Sequence, residues 1–291
     1  MDDLRWGLVG TGFWAHETHA PSIAVTSGAS LVAIWGRSAD GAGRLAAEWG
    51  ALPYSDFDEF LSNVDAVSFS VPPDVQSKLA LRAIRAGKHV MLEKPIAVSI
   101  AAADELVDAA GAAGVSTMVF LTLLFDPRMR AIIADSTAAQ WSGGNGLWLG
   151  SALMDDNPFN TPWRHDKGAL WDLGPHAVSV LLANLGPIVD VTARRGALDL
   201  VHATFTHASG ASSTTSFTLF ASDAADGFST VLWGPQGRAQ LPVDDVDESM
   251  ALRVALAELV TNIRSGTTEH RCDVAAGRDV VAVLAKIEAA L

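Results

Sequence analysis

The sequence predicts an α/β protein. Its N-terminal part reads as a doubly wound parallel sheet, and its C-terminal part as an α+β domain on a mostly antiparallel sheet. Three observations carry this. Residues 1–121 alternate short apolar runs with helical patterns, the strand–helix–strand rhythm of a parallel sheet. Several runs, such as Leu31-Val32-Ala33-Ile34-Trp35, are apolar on both faces, as a strand covered by helices on both sides must be. After residue 122 the rhythm changes, and from Val191 to Leu241 strands follow one another through tight turns with no helices between them. The chain divides on this reading into 1–121 and 122–291, and 291 residues suit two domains at roughly 150 residues each.

In the first part the predicted strands are Leu4–Gly10, Leu31–Gly36, Ala66–Val71, His89–Glu93 and Val115–Leu121. Between them, apolar residues recur at helical spacing over Asp40–Trp49, Asp56–Ser62, Val75–Ala86 and Ile100–Ala112. Residues 129–165 are mixed, with a Gly-rich turn expected at Ser142-Gly143-Gly144-Asn145-Gly146, and Gly168–Leu185 reads as one long helix. The later strands are expected over Val191–Arg195, Leu200–His207, Ser212–Phe220, Ser229–Trp233 and Arg238–Leu241, with turns at Ala208-Ser209-Gly210 and Gly234-Pro235-Gln236-Gly237. Helices over Glu248–Ser265 and Val274–Ala290 close the chain.

Composition narrows the function classes. The net charge is −13 with no Lys/Arg run, which argues against a phosphate-tracking nucleic-acid surface. The one cysteine, Cys272, has no partner within the chain, so a disulfide framework and a cysteine metal cluster are both excluded. No His/Asp/Glu grouping has metal spacing. The most apolar stretch, Val115–Phe125, falls short of the roughly 20 residues of a membrane helix, and no signal peptide fits the acidic first residues. The expectation is a cytoplasmic protein without nucleic-acid or membrane partners.

Gly10-Thr11-Gly12-Phe13-Trp14-Ala15 directly follows the first strand and fits Gly-x-Gly-x-x-Gly/Ala. Gly10 allows the tight turn, Gly12 lets backbone approach a pyrophosphate, and Ala15 lets the helix pack close to the sheet. The pyrophosphate would rest on the helix N-terminus, where the amide dipoles favour an anion. The residue that separates NAD from NADP is expected at the end of the second strand, which reads Trp35-Gly36-Arg37-Ser38. No carboxylate stands there for a free 2′-hydroxyl, whereas Arg37 and Ser38 can bind a 2′-phosphate. NADP is therefore the preferred cofactor, with NAD as the alternative. His16 and His19 read as exposed helix residues.

The run Ala86-Gly87-Lys88-His89-Val90-Met91-Leu92-Glu93-Lys94-Pro95 resembles the Gfo/Idh/MocA oxidoreductases, the relatives of glucose–fructose oxidoreductase and inositol dehydrogenase. So do Val71-Pro72-Pro73 and Gly168-Ala169-Leu170-Trp171-Asp172-Leu173-Gly174-Pro175-His176. The resemblance covers nearly the whole chain. It implies a Rossmann domain followed by a substrate-binding and oligomerisation domain built on a large, open, mostly antiparallel sheet, and reversible hydride transfer between a nicotinamide and a carbinol carbon of a sugar or cyclitol. It implies a catalytic trio of Lys94, Asp172 and His176. Cofactor contacts are expected from Gly10, Thr11, Gly12, Phe13, Trp14, Arg37, Ser38, Ser70, Val71, Pro72, Gln76, Glu93 and Lys94. Substrate contacts are expected from Thr122, Trp163, Arg164, His165, Asp172 and His176.

Elementary chemistry runs alongside the resemblance. Lys94 falls at the carboxyl end of a parallel strand, where open α/β sheets bind ligands. Asp172 and His176 are four apart and share a helix face. The sequence departs from the family pattern at Asp74-Val75-Gln76, where relatives often carry His, and at Leu121-Thr122-Leu123-Leu124-Phe125, where many carry Asn-x-Arg. A third departure is Ser179, where relatives commonly have a further Asp. Two other readings stay open here: a glycosidase that uses bound NAD for transient oxidation, and a non-catalytic sensor. Self-association is expected through the open sheet, whose uncovered face is expected to be largely apolar.

Overall fold

The computed structural model of the chain describes residues 2–135 and 140–291, in two units: Met1–Phe120 with Asp247–Arg278, and Leu121–Val246 with Asp279–Leu291. Residues 136–139 of the mixed stretch lie outside the described residues.

The first unit is built on six parallel strands: β1 (Leu4–Val9), β2 (Ala29–Trp35), β3 (Leu52–Tyr54), β4 (Ala66–Phe69), β5 (His89–Leu92) and β6 (Thr117–Val119). Their order is β3-β2-β1-β4-β5-β6. The order reverses between β1 and β4, which makes the carboxyl ends of those two strands a topological switch point. Trp6, Leu8, Ile34, Val67, Phe69, Met91 and Leu92 are fully buried, which explains the continuous apolar runs. The helices are α1 (Ala20–Val25), α2 (Ala39–Trp49), α3 (Phe57–Ser62), α4 (Pro73–Arg85) and α5 (Ile100–Ala113). Ser38, Asp56 and Ser99 cap α2, α3 and α5 by accepting backbone N–H groups. The strand β3 was not expected from the sequence. It is three residues at the sheet edge, mostly exposed, and it contains Pro53, which only an edge tolerates.

Residues 247–278 also belong to this unit, through α9 (Glu248–Ser265) and the start of α10 (Val274–Ala290). The apolar face of α9 packs on α1 and on β5 and β6. The edge strand β6 donates its Val119 N–H to the Cys272 carbonyl, and the Thr117 hydroxyl accepts the Val274 N–H. The chain thus passes between the units three times, whereas the change of rhythm marks only the first passage. Periodicity records the helix, not which sheet its apolar stripe covers.

The second unit holds α6 (Pro127–Asp135), β7 (Gly143–Leu149), α7 (Pro162–Asp172), α8 (Gly174–Leu185), β8 (Ile188–Arg195), β9 (Val201–His207), β10 (Ser212–Thr218), β11 (Gly227–Gly234) and β12 (Gly237–Leu241). The sheet order is β12-β11-β7-β10-β9-β8, with β7–β10 parallel and every other pair antiparallel. The expected Gly-rich turn at 142–146 is instead the start of a central strand. A Cβ on Gly143 would come 2.9 Å from the Trp233 ring, and one on Gly144 would come 2.8 Å from Leu232. The glycines make room for large neighbours rather than turning the chain. One face of the sheet is buried, with Ala203, Phe205, Phe217 and Leu232 on it, and α8 packs against β7 and β10. The other face corrects the expectation of an apolar surface. It presents Asn145, His202, Thr204, Thr206, Ser212 and Thr214, with Leu147 and Trp233 as its exposed large apolar side chains.

Two histidines are held neutral by the fold. His89 accepts the Ser116 N–H on Nδ1, and burial holds its pKa below the usual 6.5 against the opposing charge of Asp65. His207 bonds the Gly186 carbonyl through Nδ1 and the Ser213 hydroxyl through Nε2; burial lowers its pKa more than the Gly186 bond raises it. An unfolded chain takes up these protons near 6.5, and the folded chain only at lower pH. Their stabilisation is therefore complete above that value and is lost as pH falls below it. The exposed His16 is shifted up by Glu17 and Glu48 and works weakly in the opposite sense. Thermal melting between pH 7 and pH 5 should show Tm falling, with a shallower fall in His89→Asn. A His89→Asn curve parallel to wild type would refute this account.

Candidate active site

The glycine turn closes β1. Gly10 has φ 125°, and a Cβ there would strike the Ser70 carbonyl at the end of β4. Only glycine lets the two strand ends approach this closely. Around Gly12 the space is open: a Cβ there meets nothing within 4 Å. A helix starts at Phe13, winds as a π-helical turn over Ala15–His19, and continues as α1. Phe13 stands half exposed at its mouth. Thr11 lies over Gly36, where a Cβ would come 2.8 Å from its methyl group. Arg37 is exposed at the end of β2, and the Ser38 hydroxyl accepts the Gly41 N–H as the cap of α2. An open backbone at Gly12, a helix starting one residue later and an exposed guanidinium after β2 fit a dinucleotide laid across the β1–β4 switch point.

Glu93 and Lys94 follow β5. Glu93 Oε1 accepts both Trp14 Nε1–H at 2.7 Å and His19 Nε2–H at 3.0 Å, and its Oε2 accepts the Lys94 backbone N–H at 3.1 Å. His19 is completely buried and pairs its Nδ1 with the Ser68 hydroxyl at 2.9 Å. Burial alone would raise the Glu93 carboxyl, but the His19 bond and charge, the Lys94 charge and the Trp14 bond together hold it below the ordinary carboxylate range. Gln76 clamps the same segment: its Oε1 accepts the Glu93 N–H, and its Nε2 donates to the Glu93 and Pro95 carbonyls. Gln76 and Glu93, expected at the cofactor, thus have these polar atoms engaged inside the unit.

The remaining candidates lie in the second unit. The expected single helix over Gly168–Leu185 is broken in two. Gly168 has φ 68°, and the Ala169 N–H that follows is taken by the Asp199 carboxylate. Leu173 keeps helical angles between α7 and α8, so Asp172 and His176 stay one turn apart. Asp172 is buried and held by a forked guanidinium: Arg164 Nε reaches its Oδ2 at 2.7 Å, and the second arm reaches Oδ1 at 3.2 Å. Arg164 lies over the rings of Trp163 and Phe159 and also donates to the Phe159 carbonyl. The His176 ring is nearly parallel to that of Trp148, 6.3 Å between centroids. Thr122 is buried on a short turn that packs against α8, while His165 is exposed and bonds Asn160.

Residues 4–121 match the family described as oxidoreductase family, NAD-binding Rossmann fold, and residues 128–240 match the GFO/IDH/MocA C-terminal domain. The chain belongs to the Gfo/Idh/MocA oxidoreductase family. An uncharacterized oxidoreductase of Rhizobium meliloti, ORF334, is 35% identical over 62% of this chain and 55% of its own length. The scyllo-inositol 2-dehydrogenase (NADP(+)) IolU of Bacillus subtilis is 31% identical over 67% of this chain and 62% of its own. These alignments leave more than a third of each relative unmatched. Among solved structures, GenD2 from gentamicin A biosynthesis in complex with NAD superposes with a TM-score of 0.86 at 21% identity, over 100% of this chain and 94% of that one. That likeness shows the fold.

Within this Gfo/Idh/MocA chain, the largest departure from the expected site is His19. It was expected on the exposed side of the first helix, but it is buried against Ser68 and Glu93. The π-helical turn changes the face on which residue 19 falls, and nothing in a regular 3.6-residue period marks that change. Ser68 carries no signal at all, as a serine inside an apolar strand. No helix among the described residues is long and apolar enough to cross a membrane.

Proposed function

We propose that the protein is a nicotinamide-dependent dehydrogenase or reductase acting on a carbinol or keto carbon of a sugar, cyclitol or related small molecule. The observation that carries this reading is Lys94, set at the carboxyl end of a parallel strand and hydrogen-bonded through Glu93 to Trp14 in the helix that opens at the glycine turn. Bound there, a nicotinamide dinucleotide supplies the hydride acceptor or donor. The Gly10–Gly12 turn, with Thr11, Phe13, Ser70, Val71 and Pro72 around it, holds the dinucleotide. In oxidation His176 takes the hydroxyl proton, the Lys94 ammonium stabilises the developing alkoxide, and Asp172 orients the substrate. In reduction the proton moves the other way. Trp163, Arg164, His165 and Thr122 line the substrate side of this proposal. The test is a panel of sugars, cyclitols and keto-sugars followed by nicotinamide absorbance with both cofactors. Nicotinamide carried through purification with no net turnover on any of them would overturn the reading in favour of transient oxidation.

The exposed Arg37, with no carboxylate between Trp35 and Ser38, supports a preference for NADP. NADP(H) should bind more tightly than NAD(H), and Arg37→Ala should remove most of the difference. A lost charge-assisted contact corresponds to roughly ten- to a hundredfold in affinity. Equal titration curves for the two cofactors would exclude the preference. We also propose a cytoplasmic location, which suits a single reduced thiol, and self-association as a dimer or tetramer through the Ser/Thr-rich open face of the sheet. Light scattering should give a multiple of the 30.5 kDa chain mass, and a monomer at micromolar concentration would rule that out.

A further inference from the structure

We propose that Trp14, His19 and Glu93 form a positioning relay, in which the largely buried carboxylate locks the Lys94 peptide and ties it to the helix carrying the dinucleotide turn. The inference rests on the reading of Lys94 as the catalytic ammonium. Four hydrogen bonds converge on or through one carboxylate. Glu93 takes Trp14 and His19 on one oxygen and the Lys94 N–H on the other, and His19 is anchored in turn by Ser68 on the neighbouring strand. Gln76 fixes the backbone on both sides of Lys94. A carboxylate at a strand end could simply point to water. Keeping one ionised where water hardly reaches it takes donors such as these. The arrangement also sits between two groups that must act together. Trp14 belongs to the first turn of the helix at Gly12, and Lys94 is the residue after Glu93. A dinucleotide seated on that helix therefore meets a lysine already placed, and the placing weakens if the carboxylate loses its donors. The relay is built from protein groups alone. It supplies orientation rather than a proton, so His19 and Glu93 are positioning residues.

The experiment combines steady-state kinetics, dinucleotide titration and amide hydrogen exchange on the full chain. In His19→Ala, kcat should fall by about a hundredfold, the scale of a small misplacement of a reacting group, while the dinucleotide Kd moves less than about threefold. Exchange at the Lys94 amide should accelerate by more than about tenfold, with the β1 and β4 amides unchanged. His19→Gln, which keeps an N–H aimed at Glu93, should recover most of both losses. If His19→Ala does not fold, Trp14→Phe reads the other arm of the relay. Dinucleotide then protects the Lys94 amide less than half as much as in wild type. The relay is overturned if kcat and Lys94 exchange in these variants stay within twofold of wild type, or if the loss lies in Kd alone. A wild-type chain that turns over nothing on the panel defeats the oxidoreductase reading instead, and the exchange arm still decides whether the relay exists.

Discussion

Lys94→Ala is expected to abolish turnover while leaving dinucleotide affinity within about threefold of wild type. In the proposed reading the dinucleotide rests on the Gly10–Gly12 turn and the helix after it, and neither depends on the Lys94 side chain. In the role proposed for it, the ammonium acts on an oxygen that gains charge only as hydride leaves, so its loss should appear in kcat rather than in cofactor binding. His176→Ala should reduce the rate by roughly a hundred- to ten-thousandfold, the usual contribution of one general acid–base group. It should also remove a pH-dependent step near neutrality, since imidazole alone among the three titrates there when unperturbed. The two variants separate the roles. A Lys94→Ala enzyme that keeps turnover, or a His176→Ala enzyme with an unchanged pH profile, would defeat the assignment.

Much of the first unit was legible because its signals are local. The glycine turn, the both-faces-apolar strands and the Ser and Asp caps are each read from a few adjacent residues, and the strands and helices lie within a few residues of their expected positions. The readings that missed depended on distant partners. Gly143, Gly144 and Gly146 look like a turn until Trp233, Leu232 and Trp148 are seen packed against them. The open sheet face was expected to be apolar because no helix was assigned to cover it. Alternation does not say which set of residues a helix covers, and α8 covers the apolar set. In the candidate site, Glu93-Lys94-Pro95 and Asp172 to His176 were legible as motifs. What supports them was not: His19, anchored on Ser68, reaches Glu93 from the first helix, and Arg164 reaches Asp172 from eight residues upstream.

Arg164 was expected to hold substrate, and its geometry predicts a second, larger effect. Both its Nε and one terminal nitrogen bond Asp172, the side chains are only 14% and 7% exposed, and the guanidinium is stacked on Trp163 and Phe159. Removing one partner of such a pair takes the fork from a charge that water hardly reaches, at a cost of about 3–5 kcal/mol. Arg164→Met keeps the length and the packing over the rings but loses the fork, so it should lower the melting temperature of the second unit by roughly 10 °C. Adding Asp172→Asn removes that charge. The double variant should therefore be more stable than Arg164→Met alone by at least half of that loss, the non-additivity expected of two residues in contact. A surface pair would behave otherwise, with each change costing less than about 1 kcal/mol and the two adding. If Arg164 only held substrate, Arg164→Met would raise KM and leave melting unchanged. The double-mutant cycle on melting distinguishes these outcomes before any substrate is known, and additive losses would show that Asp172 is not kept ionised by Arg164.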